Sequence, residues 1–538
     1  MKLRENRKTS RNSVIYSAYL IILLVFVGCD PNLLNTHPDD RYTVGNFWES
    51  SEAVNAALTG TYRPLRYQGV FGRQASPAWE DAATPNLFTT SGIGFSNIAL
   101  GQQNATSGSV MSWRWSHSYD GVGRANIFLS RIDEATGISE EEKSRMTGEA
   151  LFLRAIYYYM LTTYYGDVPL ILDPPDVEEH ALLPRSPREQ VVEQILEDLD
   201  RAAELLPLDY PTGDAGRATR GAALGLKARI LLYEASPLLN PDQDPARWQA
   251  AAAAAEEVIS INQYALFPDY HTLFLPENEN SEEVLFDVQY ISPTVEPGLG
   301  TSWDLINIQH ATTAPLQELV DAFLMADGLP YDQSPLYDAG QPYLNRDPRF
   351  YTTVLYPGAR FQNDDVTEIT YAHTGYALRK YSVFDETTGN PPANVSDIKD
   401  GQSETNYMVI RYAEILLSYA EAQNEYAGPD PSVYAALNQV RERAGMPAVE
   451  AGLTQDELRE VIRHERRIEF VGEGLYYNDI RRWKTIEEVN NGPVHRQDGQ
   501  VRSNRSFNPA RDYWWPIQQS ELDLNPELTQ NTGYGQRR

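Results

Sequence analysis

The segment Glu149–Tyr165, EALFLRAIYYYMLTTYY, carries apolar side chains almost all the way round a helical wheel. A helix with no polar face cannot lie on a surface; other elements must enclose it on most sides. That requirement points to a thick, mainly helical protein. Gly166 supplies the residue after the helix and Pro169 follows, as helix ends prefer. Other helices announce themselves in the same way. Ser186-Pro187-Arg188-Glu189 reads as a capping box with Pro at the first helical position. Behind it Val192, Ile195, Leu199, Ala202 and Leu206 recur at helical spacing until Pro207. Thr454-Gln455-Asp456-Glu457 is a second capping box, opening a stripe of Leu458, Val461, Ile462, Glu465 and Ile468.

The spacing predicts further helices at about Tyr119–Ala135, Ala218–Ala235, Arg247–Ile261, Tyr407–Tyr426 and Val433–Ala444. Ala and Gly between Ala218 and Ala228 would let a neighbouring helix approach closely. Paired helices with such faces suggest tetratricopeptide-like hairpins, in degenerate form because no 34-residue repeat recurs. Two stretches resist helical assignment: the polar region Gly69–Ser112 and the Pro-, Gly- and Asp-rich region from Tyr290 to about Asn406. Loops of that length in a compact protein are usually functional. Val284–Tyr290 is the clearest strand.

The N-terminus reads as an export signal. Lys2, Arg4, Arg7, Lys8 and Arg11 precede an uncharged stretch from Val14 to Val27, too short to span a bilayer. It ends in Phe26-Val27-Gly28-Cys29, and Cys29 is the one cysteine of 538 residues. A small residue before a Cys is how bacterial lipoprotein signals end, so residues 1–28 are expected to be removed and Cys29 to be lipidated. The lone Cys excludes disulfides and Cys-based metal sites. Removing the signal takes the formal charge from −30 to −34, since five bases and one acid leave with it. Such a surface repels nucleic acid.

A series of motifs then becomes recognisable in order: Leu34–Pro38 with Phe47-Trp48 and Ala56–Leu58; Glu149–Ala155 with Tyr158-Tyr159 and Tyr165–Pro169; Pro315–Gly328; Arg346–Phe350; Gly375-Tyr376 with Arg379-Lys380-Tyr381; Arg411–Leu417 with Ala420–Ala422; His464–Glu469; Arg482-Trp483; and Asn525-Pro526 through Asn531. Together they resemble the SusD/RagB family over essentially the whole mature chain. The resemblance implies a mainly α SusD-like fold, with four tetratricopeptide-like units as scaffold and a loop-rich ligand-binding face. It implies an outer-membrane lipoprotein of Bacteroidetes that serves as lid to a SusC-type TonB-dependent transporter and hands it oligosaccharides or peptides. The expected layout is a signal (1–28), an N-terminal region (29–235, with the polar loop 69–112) and a C-terminal region (236–538). The last holds a variable loop-rich part at about 290–406 and helices at about 407–485. Two positions depart from the family pattern: Tyr476 stands where an Arg is usual, and Gln518 where a Pro is.

No catalytic residue, metal site or cofactor is expected. His464-Glu465 begins like a zinc-protease helix, but Ile468 occupies the place of the second His. No nucleophile elbow, phosphate loop or dinucleotide fingerprint is present. Asp242 and Asp244 fit a solvated turn better than a calcium site. Glu465 and Glu469 fall on an apolar stripe and need buried cations, sought among Arg466, Arg467, Arg481 and Arg482. In the family it resembles, the ligand face is drawn from the two loop regions. The aromatic residues there are Trp79, Phe88 and Phe95 in the first, Tyr290 and Trp303 in the second. Sugar C–H faces stack on such rings while amides and carboxylates take hydroxyls. Asp81, Asn86, Gln102, Asn104, Asp304 and Asn307 lie nearby in sequence. Trp303, in the turn-forming run Gly298–Asp304, is expected to lack a partner that would bury it. The expected function is capture of an extracellular oligosaccharide; peptide capture, a surface glycoside hydrolase and a pure assembly scaffold are the rival readings.

Overall fold

The computed structural model describes residues 47–72, 76–291, 300–361, 364–367, 370–384 and 395–535. The signal segment, Cys29 and the Leu34–Pro38 motif lie outside them. The enclosed helix exists and is longer than its apolar part: α4 spans Glu140–Tyr165, and every residue from Gly148 to Tyr165 is buried. Its exposed first turn is fixed by Ser139 and Glu142, which form a capping box, and Gly166 caps its end at φ 73°.

The enclosure comes from helices on each side. α3 (Val110–Arg131) and α5 (Arg188–Leu205) pack against α4, and α1 (Ser51–Tyr62) packs on α3. α3 approaches α4 so closely that a Cβ at Gly121 would lie 2.4 Å from the Tyr157 ring. α6 (Arg220–Ala235) continues from α5, α7 (Pro245–Ser260) from α6, and α8 (Tyr412–Ala427) lies against α7. α9 (Pro431–Arg443) and α10 (Gln455–Glu469) pack on α8. Each helix therefore buries its apolar face against its neighbours in the chain or in this series. One large cluster of buried side chains runs from Leu65 to Leu522, crossing residue 235 without a break.

Two expected features differ. The capping box at Ser186 does not form: Pro187 occupies the N-cap, and Ser186 bridges to Val168. The orphan Arg188 amide is met by Asp167 Oδ1 at 2.9 Å, a partner 21 residues away. Residues expected to open a helix at Tyr407 form a strand first. β6 (Tyr407–Arg411) pairs antiparallel with β2 (Val284–Val288), and helix α8 begins only at Tyr412. The remaining strands used below are β1 (Leu87–Thr89), paired with β3 (Thr313–Pro315), then β4 (Val354–Leu355), paired with β5 (Ala377–Leu378). β7 (Gly492–His495) and β8 (Val501–Arg505) form a hairpin. The region 69–112 is not one open loop; it contains β1, the short helix α2 (Ser76–Asp81) and another at Phe95–Ala99.

Candidate functional site

The β2–β6 pair brings together the two ends of the second loop region, Tyr290 to about Asn406. Val288 stands opposite Tyr407, and the Asn406 side chain accepts the Tyr290 amide at 2.9 Å. Tyr290 and Tyr407 thus meet at one strand end. Thr301 bridges to Ser403 across the same opening, which places Trp303 beside them. Phe71 arrives from the turn after α1 and stacks on Tyr407, ring centroids 5.8 Å apart. Tyr381 lies edge-on to Trp303 at 5.2 Å and tilted against Tyr407 at 6.0 Å. Phe71, Tyr290, Trp303, Tyr381 and Tyr407, with Gly72, Pro77, Thr301 and Thr405, line a narrow cleft of about 20 Å³.

That volume suffices for one water-sized group and not for a ring. Its chemistry is unusual for a core. The hydroxyls of Tyr290, Tyr381 and Thr405 are buried, and none finds a hydrogen-bond partner among the described residues. Leaving a buried hydroxyl unmet costs on the order of 1–3 kcal/mol. Three such hydroxyls belong to residues that line one small cleft, where a water or another small polar group would satisfy them.

The rings are held from beneath by charge. The Trp303 indole donates to the Lys380 carbonyl at 2.7 Å, and the Tyr407 hydroxyl to the Glu473 carbonyl at 2.6 Å. The Lys380 ammonium contacts Glu473 at 2.6 Å, the Glu469 carbonyl at 3.0 Å and Tyr270 at 2.8 Å. Arg411 reaches Glu283, Glu469 and Glu473 at 2.7–2.8 Å. Arg443 joins Glu283 and Glu469; Arg349 joins Asp347, Glu465 and Glu469; Arg441 joins Glu465. Against strong desolvation, these cations hold the Glu465, Glu469 and Glu473 carboxyls below the usual range. Burial pulls Lys380 the other way, down to about 8.

Glu465 and Glu469 are paired as required, but not by the cations expected. Arg466 binds Asp479, Arg467 reaches Asn86 and the Glu318 carbonyl, Arg481 holds main-chain carbonyls, and Arg482 binds Glu421 and Asp479. Residues one or two apart on a helix face different directions, so the partners of Glu465 and Glu469 come from Arg349, Arg411, Arg441 and Arg443 instead. Tyr476, at the position where Arg is usual, lies beneath the Arg467 guanidinium at 5.2 Å.

Of the residues singled out from sequence, the structure brings Tyr290 and Trp303 into the cleft. Trp303 is not the unpartnered ring expected: it is 6% exposed, packed on Tyr381 and hydrogen-bonded. Asp304 is fully buried and accepts from the Ser382 and Ser403 hydroxyls, tying the chain around 382 and 403 together rather than facing a ligand; burial pushes its carboxyl up to about 6. Asn307 is buried with both amide atoms unmet. Trp79 and Phe95 are core residues, 2% and 0% exposed. Asn86 is buried and occupied by Arg467, whereas Gln102 and Asn104 are exposed. Phe88 is half-buried on β1, under the Arg502 guanidinium. Asp244 caps α7, accepting from Ala246 N at 2.9 Å. Among the described residues no group of His, Cys, Asp or Glu could hold a metal ion, and no helix is long and apolar enough to cross a membrane.

Asp81 is fully buried, accepts the Gly472 amide at 2.8 Å and leaves its second oxygen unmet. Burial pushes its carboxyl from 3.8 up to about 8. A raised carboxyl keeps its proton in the folded chain after the unfolded chain has lost it. Its contribution to stability therefore falls as pH rises from about 4 to about 8 and is level above that. Asp81→Asn should remove this slope, up to about 1.4 kcal/mol per pH unit. Denaturation midpoints of both proteins at pH 5 and pH 8 check it; parallel pH profiles would count against it.

Phe71, Tyr381, Thr405 and Tyr407 were not singled out from sequence. Tyr381 sits inside a scaffold motif, and Tyr407 and Thr405 adjoin a strand that reads as helix. The short unbroken apolar run Tyr407-Met408-Val409-Ile410, with its aromatic and β-branched residues, was the available signal of a buried strand.

The comparisons with known proteins agree with this architecture. The profile of the SusD family matches residues 309–534, and a profile described as "Starch-binding associating with outer membrane" matches residues 33–232. SusD-like protein P25 of Formosa agariphila is 26% identical over 96% of this chain and 98% of its own. A crystal structure of a SusD-like protein from Bacteroides fragilis is 29% identical, covering 93% of this chain and 100% of that one, with a TM-score of 0.77. A SusD-like carbohydrate binding protein from the same organism is 28% identical over 90% of this chain and 99% of its own, with a TM-score of 0.79. With two profiles spanning both halves and superposable structures along nearly its whole length, the chain belongs to the SusD/RagB family.

Proposed function

We propose that this protein captures an extracellular oligosaccharide at the cell surface and passes it, uncleaved, to a SusC-type TonB-dependent transporter in the outer membrane. The observation that carries the reading is the aromatic cleft with three unmet hydroxyls. A single sugar hydroxyl matches its volume, and Tyr290, Tyr381 and Thr405 can each donate to or accept from it. The rings around the mouth would lie against the C–H face of the same sugar. A relative described as a carbohydrate binding protein at 28% identity supports the ligand class. The lipid on Cys29 would hold the protein at the membrane.

Trp303→Ala is a poor test, because removing a packed, hydrogen-bonded ring costs about 3–5 kcal/mol of stability. Tyr290→Phe and Thr405→Val remove only unmet hydroxyls, so melting should not fall. Each should weaken binding of the retained oligosaccharide about tenfold, the worth of one hydrogen bond at its upper range. Calorimetry against glycan and peptide panels provides the measurement. Unaltered affinity in both variants would remove the cleft from the site. Turnover of a glycan would favour a hydrolase, and retention of peptides alone would favour peptide capture.

A further inference from the structure

We propose that the tip of the β7–β8 hairpin forms a second binding position, which takes one anionic group, a carboxylate or a sulfate ester, carried on the captured saccharide. This rests on the capture reading for its context, though its residues and its test are separate.

The hairpin closes through the Arg496 amide, which donates to the Gln500 carbonyl at 2.9 Å. Its tip docks on the turn before β5, where the Gln497 amide donates to the Thr374 carbonyl at 2.8 Å. The docking is tight: Gly375, at φ +88°, has Gln497 Cβ 2.6 Å from where its own Cβ would stand. This brings Arg496 and Arg502 of the hairpin towards His373 of the turn. From the other side Phe88 on β1 lies under Arg502, with the guanidinium 3.8 Å from the ring centroid.

Stacking covers the face of a guanidinium and leaves its N–H edge free, the edge that grips carboxylate or sulfate in a fork. Among the described residues no acceptor meets the Arg502 side chain. The Nε groups of Arg496 and Arg502 and the Ser503 hydroxyl are buried without a partner. Among the described residues Asp498 is the one carboxylate paired with either arginine, 3.5 Å from Arg496 and partly exposed. The nearby Glu318 is engaged by the His495 ring and amide. Burial and the neighbouring Arg496 both push the Arg502 guanidinium down; burial, then Arg502 and Arg496, do the same to His373. Arg496 and Arg502 repel each other across this position, and Asp498 answers Arg496 alone, so an anion held by Arg502 would relieve that repulsion. The acidic surface as a whole disfavours a polyanion, so the position suits an isolated charged unit rather than a dense run of charge.

The test uses the full chain in an uncharged, sugar-free detergent. Methyl β-glucuronide, inorganic sulfate and methyl β-glucoside are titrated calorimetrically into the parent protein and into the double variant Arg496→Gln/Arg502→Gln. The parent should bind the glucuronide, sulfate or both about tenfold more tightly than the glucoside. The double variant should lose that preference while melting no lower than the parent. Preference for the glucuronide alone would identify a uronate position, and for sulfate alone a sulfate-ester position. Equal or absent binding of all three by the parent, or a preference surviving in the double variant, would overturn the proposal. The Tyr290→Phe and Thr405→Val variants report on the cleft independently. If they fail to weaken oligosaccharide binding while the anion preference persists, only the cleft reading is lost.

Discussion

Glu469→Ala should cost about 3–5 kcal/mol of folding stability. Glu469 is fully buried and its carboxylate meets Arg349, Arg411 and Arg443. Removing it leaves three guanidinium groups in the interior with Glu283, Glu465, Glu473 and Asp347 to share. Against a total stability of about 5–15 kcal/mol, a loss of that size moves the unfolding midpoint far enough to read in urea by circular dichroism. A loss below about 1 kcal/mol would mean that water or rearranged acids replace the carboxylate, and the network would then be a weaker constraint than its geometry suggests. Glu465→Ala should act in the same direction, since Arg349 and Arg441 lose their shared acceptor. Neither variant should alter which ligand is preferred. A Glu465→Ala protein that melts normally yet loses its ligand would make Glu465 a site residue. A separate buried cluster, Glu421 and Asp479 with Arg466 and Arg482, contributes to the acid limit. Glu421, held down to about 2 by Arg482 and Arg466 despite burial, supplies stability that is complete above 4.5 and disappears as pH falls towards 2.

Cys29→Ala is expected to move the protein from the membrane fraction to the soluble fraction almost completely. The lone cysteine ends an uncharged stretch of signal length. Each buried methylene of an acyl chain contributes about 0.8 kcal/mol, so several chains anchor firmly and none anchors not at all. The measurement is fractionation of cells lacking the proposed partner transporter, washed at high salt. A variant still sedimenting with membranes there would show that something other than lipid on Cys29 holds it.

What was legible in the sequence followed from local rules. Glu149–Tyr165 had to be enclosed because it has no polar face, and Thr454 with Glu457 forms the capping box its spacing specifies. What was not legible depended on residues distant in the chain. Ser186 lost its cap to Pro187 because Val168 offered a bridge and Asp167 a better acceptor. Tyr407–Arg411 became a strand because Val284–Val288 lies alongside, which local helical spacing cannot register. The cations of Glu469 come from positions 26 to 120 residues away. Trp303 seemed partnerless because its hydrogen-bond acceptor, the Lys380 carbonyl, is 77 residues further on. The candidate site was therefore half visible: Tyr290 and Trp303 lie in regions whose composition reads as functional loops, while Tyr381 and Tyr407 look like scaffold until the chain closes.

The anchoring of Trp303 and Tyr407 to main-chain carbonyls has a kinetic side. Both rings are immobilised by their polar ends when the chain folds, so a ligand binding at the cleft as proposed would not have to order them. Immobilising such a side chain on association costs roughly 0.5–1.5 kcal/mol, and here that cost is already met. Complex formation should accordingly proceed without a slow rearrangement of these two rings, and variants that lose a cleft hydroxyl should differ from the parent in how fast the ligand leaves far more than in how fast it arrives.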